Sequence, residues 1–362
     1  MTEPAYFSSA PVFKIDDAVN GDLARDLAYL EVEETTEGLK TLRARFGNLG
    51  PRPGGDRDEE LLYLDGQVLD FGKKIEVSIG PGDAARTIFT GYVSALEARF
   101  AVGSEPQLVA FAEDRFMKLR STRRSRSYER MSDADAARAI AGEHGLSADV
   151  DADGPTYDVV QQLNQSDLAF LRDRARLVQA DVWIEDDRLC FKTRGRRSGT
   201  ELTLAQDDEL LSVQIRADLA HQRTKVRVTG YDAQARDAID EEATGDVVSA
   251  EITGGRTGPA VLERAFGERV STRSREVPLT GDEARQWARA EMLRRGRAFV
   301  HALGTTHGSP SMVVGSRLSL EGVGAPFTGG GYYVTRICHT YDHENGHRTT
   351  FEAERATLND GT

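Results

Sequence analysis

Alternation of apolar and polar positions is the dominant signal in this chain, and it is clearest near its end. Ser311–Arg355 reads SMVVGSRLSLEGVGAPFTGGGYYVTRICHTYDHENGHRTTFEAER. Period-two patterning over Val313–Leu320, Tyr332–Tyr341 and Arg348–Arg355 predicts strands, because successive strand side chains point to opposite faces. Gly322 to Gly331 is then a loop. Asn345-Gly346 predicts a two-residue type I′ turn, in which both central residues need positive φ. A weaker copy of this layout lies at Gly72–Phe100, GKKIEVSIGPGDAARTIFTGYVSALEARF. In each copy a Gly precedes an alternating strand (Lys74–Ile79; Arg317–Leu320) and a Gly-rich loop follows. Gly-Tyr then leads a β-branched run (Gly91-Tyr92-Val93; Gly331-Tyr332-Tyr333-Val334). The pattern predicts two related antiparallel units in one chain.

The remaining segments arrange around these units. Val12–Ile15 is a strand, and Asp26–Glu34 with Leu39–Phe46 makes a hairpin around Gly38. Leu49–Glu60 is an exposed Pro/Gly/charge loop, and Leu61–Phe71 includes a helical turn. Residues 1–112 thus form a first β-barrel or strongly curved sheet. Residues 113–200 form an α+β connector. In it, Ser132 caps a helix with the face Ala136, Ala137, Ile140, Ala141, and Gly145 stops that helix. A loop covers Asp149–Pro155. Ser166 or Asp167 caps a second helix with Leu168, Leu171, Ala175 and Val178 on one face. Asp181–Ile184 and Arg188–Lys192 pair around Asp186-Asp187. Residues 201–232 and 308–362 form a second β-barrel, interrupted by an insertion at 233–307. Thr280 and Glu283 open a helix there that runs to about Leu303, where Gly304 and Gly308 end it. The fold class expected is mainly β with α+β insertions and two similar antiparallel β-barrels.

Bulk properties narrow the role. The chain has 362 residues and a net charge of −13, which disfavours general affinity for nucleic acid or anionic membranes. The first residues carry no basic start or apolar core, and no apolar run is long enough for a membrane span. Cys190 and Cys338 sit inside strand patterns and read as small apolar residues in a reducing compartment. Arg120, Arg123, Arg124 and Arg126 cluster with almost no aromatics among them. They read as candidate interface residues for an acidic partner rather than for nucleic acid. His343-Glu344-Asn345-Gly346-His347 has the letters of a zinc-protease motif, which needs a helix to bring both His residues to one face. Asn-Gly in its middle and strand patterns on both sides argue for a hairpin turn. A metal site from His339 and His343 is weighed and set below a polar hairpin face. Gly254–Gly258 and Gly329–Gly331 lack the features of a phosphate loop. No catalytic, cofactor or metal residue is assigned, and the chain is expected not to be an enzyme.

The chain resembles the phage late control protein D family, the hub proteins of contractile tails, akin to the N-terminal part of VgrG spikes. The resemblance rests on Val160–Leu171 followed by Val182–Phe191, on Thr224–Gly230 with Tyr231-Asp232, and on the helix Glu283–Arg295. It rests also on Gly315, Gly322, Gly324, Tyr332-Tyr333-Val334, His339, Gly346 and Thr349-Thr350-Phe351 in the closing run. It implies a homotrimer whose six units form a pseudo-sixfold ring between a sixfold tail tube and a threefold spike. Expected partners are a spike or needle-tip protein, a tail tube or tube-initiator protein, baseplate wedge proteins and translocated DNA or effector protein. The place implied is the baseplate of a phage virion or contractile injection particle, assembled in the bacterial cytoplasm. No needle or lysozyme segment follows the hub, so the spike is expected as a separate polypeptide. Tyr332, Tyr333 and His339, on the late strand, join the arginines as candidate interface residues. The alternatives kept are a zincin-like metallopeptidase using His343, Glu344 and His347, and a β-barrel binding module for a small ligand or glycan.

Overall fold

The computed structural model describes residues 10–50, 60–80, 85–152, 154–273 and 277–360. It is mainly β, with a 13-stranded sheet, several two- and three-stranded sheets and a few helices. The strands follow the alternation. In Leu27–Thr35, for example, Leu30, Val32 and Glu34 face inward and the residues between them face out.

Along the large sheet the order is Leu210–Ala217, Val300–His307, Gly346–Arg355, Gly329–Asp342, Leu27–Thr35, Thr41–Gly47, Gln107–Glu113, Arg86–Arg99, Lys74–Ile79, Val12–Ile15 and Ala18–Asn20. Arg317–Glu321 also pairs with Gly329–Asp342, and Glu201–Ala205 pairs with Arg317–Glu321. The order contains the same run twice. The first set is Val12, Lys74, Arg86, Gln107, Thr41, Leu27, naming each strand by its first residue. The second is Glu201, Arg317, Gly329, Gly346, Val300, Leu210.

Register makes the match specific. In the first set Tyr92 faces Glu113 and Val93 faces Ala112, and the ladder then slips so that Ala95 meets Phe111. In the second, Tyr333 faces Glu354 and Val334 faces Ala353, with a slip so that Arg336 meets Glu352. A second slip recurs as well. Leu27 faces Phe46 and Tyr29 then meets Arg45, just as Leu210 faces Thr306 and Ser212 then meets Thr305. Bulges bend a strand and raise its twist, so matching bulges give both sets the same curvature. The duplication predicted from the sequence is present in these pairs, while the first strand of each run differs: Val12–Ile15 runs antiparallel to Lys74–Ile79 and Glu201–Ala205 parallel to Arg317–Glu321.

The two separate β-barrels are corrected. Among the described residues neither set closes on itself. The outer edge of Leu27–Thr35 pairs instead with Gly329–Asp342 of the second set, from Tyr341↔Leu30 to Arg336↔Thr35. Both sets therefore belong to one open sheet. Each keeps its own core, one around Phe13, Phe46 and Phe89, the other around Tyr332, Phe299 and Phe351. A third core joins the connector helices Asp133–Glu143 and Asp167–Val178 to the helix Gly281–Arg297 and its small sheet. Large aromatic side chains fill the interiors, which gives no support to a hollow ligand-binding barrel.

Several local expectations change. Lys225–Asp232 pairs with Asp237–Thr244 and Val270–Arg273, away from the second set. The Thr280-capped helix stops at Arg297, and Val300–His307 is a strand of the large sheet. Its alternation of Val300, Ala302, Gly304 and Thr306 toward the interior outweighs helix continuation. Ser147–Asp151 is a strand parallel to Arg188–Thr193, not a loop, and residues 62–71 form bends without a helical turn. Asp342 pairs with Gly346, so the last hairpin has a three-residue loop. Gly346 has φ 63 while Asn345 does not have positive φ, which excludes type I′. The Asp342 carboxylate accepts from the Glu344 and Asn345 N–H groups and fixes the loop. The expected loop Leu49–Glu60 lies mostly outside the described residues.

Candidate functional site

The place where the two sets meet is also where the connector docks. Outside the junction, the Arg336 guanidinium lies between Glu33 at 2.8 Å and Glu352 at 2.9 Å. On the inward side Glu34 is buried, with Lys40 Nζ at 2.9 Å and Arg197 Nη2 at 2.6 Å. Arg197 lies 4.2 Å over the Trp183 ring, and its Nη1 is 3.6 Å from Asp181. Asp181 accepts from the Tyr333 hydroxyl at 2.6 Å. Arg194 and Arg317 cover the two sides of this neighbourhood, 4.2 and 4.4 Å from the Tyr333 ring centre, and Arg194 pairs with Glu354 at 2.7 Å. Glu34 and Lys40 come from the first set, Tyr333 and Glu354 from the second, and Asp181, Trp183, Arg194 and Arg197 from the connector. One network thus binds three parts of the chain.

Burial works against the Glu34 charge, yet Lys40 and Arg197 together hold its carboxyl below the usual range. It is an ion cluster held by two cations, the arrangement under which a buried charge persists. Asp114, close by, has no ion pair among the described residues. Burial raises it to about 6, although the Lys40 and Phe116 N–H groups bond its two oxygens at 2.8 and 2.9 Å.

The candidate interface residues divide into two groups. Tyr332, Tyr333 and His339 are internal: Tyr332 donates to the Phe327 carbonyl at 2.7 Å, and His339 sits against Thr349 at 3.1 Å and His347 at 3.3 Å. Burial, then His347, then Lys40 push His339 well below its ordinary pKa, so it is neutral. The arginines are outward but engaged within the chain. Arg124 pairs with Glu143 at 2.6 Å, and Arg126 bonds Gln162 at 3.0 Å and Asp167 at 3.2 Å. Arg120 pairs with Glu113, and Arg123 donates to the Asn164 carbonyl at 3.1 Å. Arg123, Arg124 and Arg126 thus brace the strand Arg123–Ser132 within the connector, and Arg120 ties the preceding helix to Glu113.

The five residues of the zinc-protease pattern span a loop and a strand start. His343 and Glu344 are exposed while His347 is buried, so the pattern does not converge on a point. Among the described residues no group of His, Cys, Asp and Glu could hold a metal ion, and no helix is long and apolar enough to cross a membrane. The sequence reading missed Glu34, Lys40, Asp181 and Arg197. Glu34 had a usable signal, since a charged residue stands at an inward position of an otherwise regular alternation.

Residues 54–343 match the family model described as the Alg8 N-terminal domain. No curated protein matches the chain. Solved structures share its fold over nearly the whole length. The 43 kDa tail protein of prophage MuSo2 from Shewanella oneidensis has a TM-score of 0.65 at 13% identity, covering 96% of this chain and 98% of that one. A tail protein from Neisseria meningitidis gives 0.66 at 12%, covering 96% and 97%. An E. coli component of the type VI secretion system, itself similar in structure to phage T4 tail proteins gp27 and gp5, gives 0.57 at 12%, covering 93% and 76%. At these identities the likeness is one of fold.

Proposed function

The chain belongs to the Alg8 N-terminal domain family, and on that premise we propose that it is the structural hub of a contractile tail baseplate. In this reading three copies form a homotrimer whose six strand sets line one ring. The ring meets a sixfold tail tube or tube initiator on one side and a threefold spike or needle tip on the other. Baseplate wedge proteins pack around it. The observation that carries the reading is the doubled strand set, matched at two ladder bulges, within one chain. A ring partner with sixfold symmetry needs six equivalent contacts, and a trimer supplies them only when each subunit carries two. The fold it shares with tail proteins supports the same role, on a phage or on an injection particle. An acidic chain of net charge −13 suits a lumen that passes DNA or effector protein without retaining it. The role proposed is mechanical, with no catalytic step. Light scattering on the purified chain, alone and with its spike, tests it. Three chain masses are expected; a monomer that persists with the spike present contradicts the hub.

A further inference from the structure

One junction between strand sets is made inside the chain, and among the described residues each of its two kinds of edge is also left open elsewhere in the sheet. The internal junction joins the outer edge of Leu27–Thr35 to the second half of Gly329–Asp342. The matched bulges place Leu210–Ala217 where Leu27–Thr35 stands, and Arg86–Arg99 where Gly329–Asp342 stands. Leu210–Ala217 ends the sheet, and among the described residues its Ser212–Ala217 part pairs only with Val300–His307. Arg86–Arg99 pairs with Lys74–Ile79 only as far as Tyr92, so beyond Val93 that edge has no partner strand among the described residues. Two edges of the kind that meet inside the chain are thus both free, and they face opposite ways along the sheet.

The side chains on these edges fit one another. Transferring the internal register sets Val213 opposite Phe100, Gln214 opposite Arg99, Ile215 opposite Ala98, Arg216 opposite Glu97 and Ala217 opposite Leu96. The core-facing row would be apolar throughout: Val213, Ile215 and Ala217 against Phe100, Ala98 and Leu96. Inside the chain, the matching positions Leu30, Val32, Ile337 and His339 are buried. On the free edges Val213, Ile215 and Leu96 are only half-covered, and Phe100 is 62% exposed. The outward row would set Arg216 against Glu97, a cation facing an anion at the position where the internal junction has Glu33 opposite Cys338. Exposed strand edges with apolar rows are liabilities unless something covers them.

We infer that the edge Val213–Ala217 of one copy adds to the edge Leu96–Phe100 of the next copy, repeating between chains the junction made within each. The inference rests on the ring reading above and names its contact. The two edges differ, so the contact is head-to-tail and closes a ring or extends a filament. Strand addition supplies backbone hydrogen bonds, and the Arg216–Glu97 pair fixes register.

Cross-linking tests it. In a Cys190→Ala, Cys338→Ala background, Glu97→Cys and Arg216→Cys are combined and mildly oxidised. The result expected is a reducible ladder ending at three chains. Each single cysteine variant gives no ladder, and mixing the two gives only their heterodimer. A trimer by light scattering without cross-links overturns the edge contact and leaves the hub reading standing. A ladder with no stop keeps the edge contact and overturns the threefold ring. A monomer without cross-links overturns both. Charge reversal gives a second readout independent of cysteine geometry. Glu97→Arg or Arg216→Glu alone weakens assembly about tenfold or more, and the two together restore it to within about threefold. Failure of the double reversal to recover, with both singles folded and weakened, also overturns the pairing.

Discussion

The two strand sets hold the same register with different interiors. At one buried cross-strand position the first set has Ala44 opposite Ala110, and the second has Gly304 opposite Phe351. A Cβ on residue 304 would come within 2.5 Å of the Phe351 ring. Two residues further along, Phe46 faces Leu108 under Phe13 and Tyr63, whereas Thr306 faces Thr349 beside His339 and His347. Backbone pairing and bulge position are therefore common to both, and the filling is local. A sheet's path is set by where its ladder slips, while its core needs only matched volume and satisfied polar groups.

The size exchange gives the largest effect. Phe351→Ala is expected to cost about 3–5 kcal/mol in urea or thermal unfolding, the range for a buried Phe. Gly304→Ala alone should cost about 1–3 kcal/mol by overpacking. Introduced together with Phe351→Ala, so that the first set's Ala–Ala pair is copied, Gly304→Ala should cost nothing further. An equal cost in both backgrounds would show that the two positions do not share one volume.

Next comes the buried ion cluster around Glu34 of the first set. Glu34→Ala leaves Arg197 and Lys40 without their carboxylate and is expected to cost about 3 kcal/mol. The matching residue of the second set is Ala217, where Ala217→Ser should change the stability of the isolated chain by less than about 0.5 kcal/mol. Similar losses at both positions would remove the asymmetry.

A smaller effect follows pH. His339 is held well below its ordinary pKa, so its contribution is present above the unfolded value of 6.5 and is lost as pH falls below that value. Asp114 acts in the opposite sense. Its folded pKa is raised to about 6, so its contribution is complete below the unfolded 3.8 and is lost as pH rises through 6. His339→Gln should flatten the fall of the melting temperature on the acid side, and Asp114→Asn the fall on the neutral side. Identical pH profiles for His339→Gln and the parent contradict the assignment. The smallest change is Arg123→Ala, expected within about 0.5 kcal/mol because its one bond is to an exposed carbonyl.

Much of this was legible in the sequence where the deciding interactions are local. Ser132, Ser166 and Thr280 cap their helices as expected, each accepting from an N–H three residues on. Alternation placed most strands of the large sheet, and the repeated Gly-Tyr run exposed the duplication. What failed depended on distant partners. Val300–His307 becomes a strand through the remote strand Gly346–Arg355, while the helix before it gives no clear stop. The internal junction pairs residues some three hundred positions apart, so a one-sequence pattern suggests two closed barrels where the edges meet each other instead. Glu34 was visible as a misplaced charge, but its partners Lys40 and Arg197 were not, because nothing local relates them.

Hydrogen exchange on the assembled particle, read at peptides covering 94–100 and 211–217, tests the central claim most directly. The account predicts that both peptides become protected together when the chain assembles and exchange freely when it is diluted to monomer. An assembled trimer in which both peptides still exchange as fast as in the monomer would contradict it.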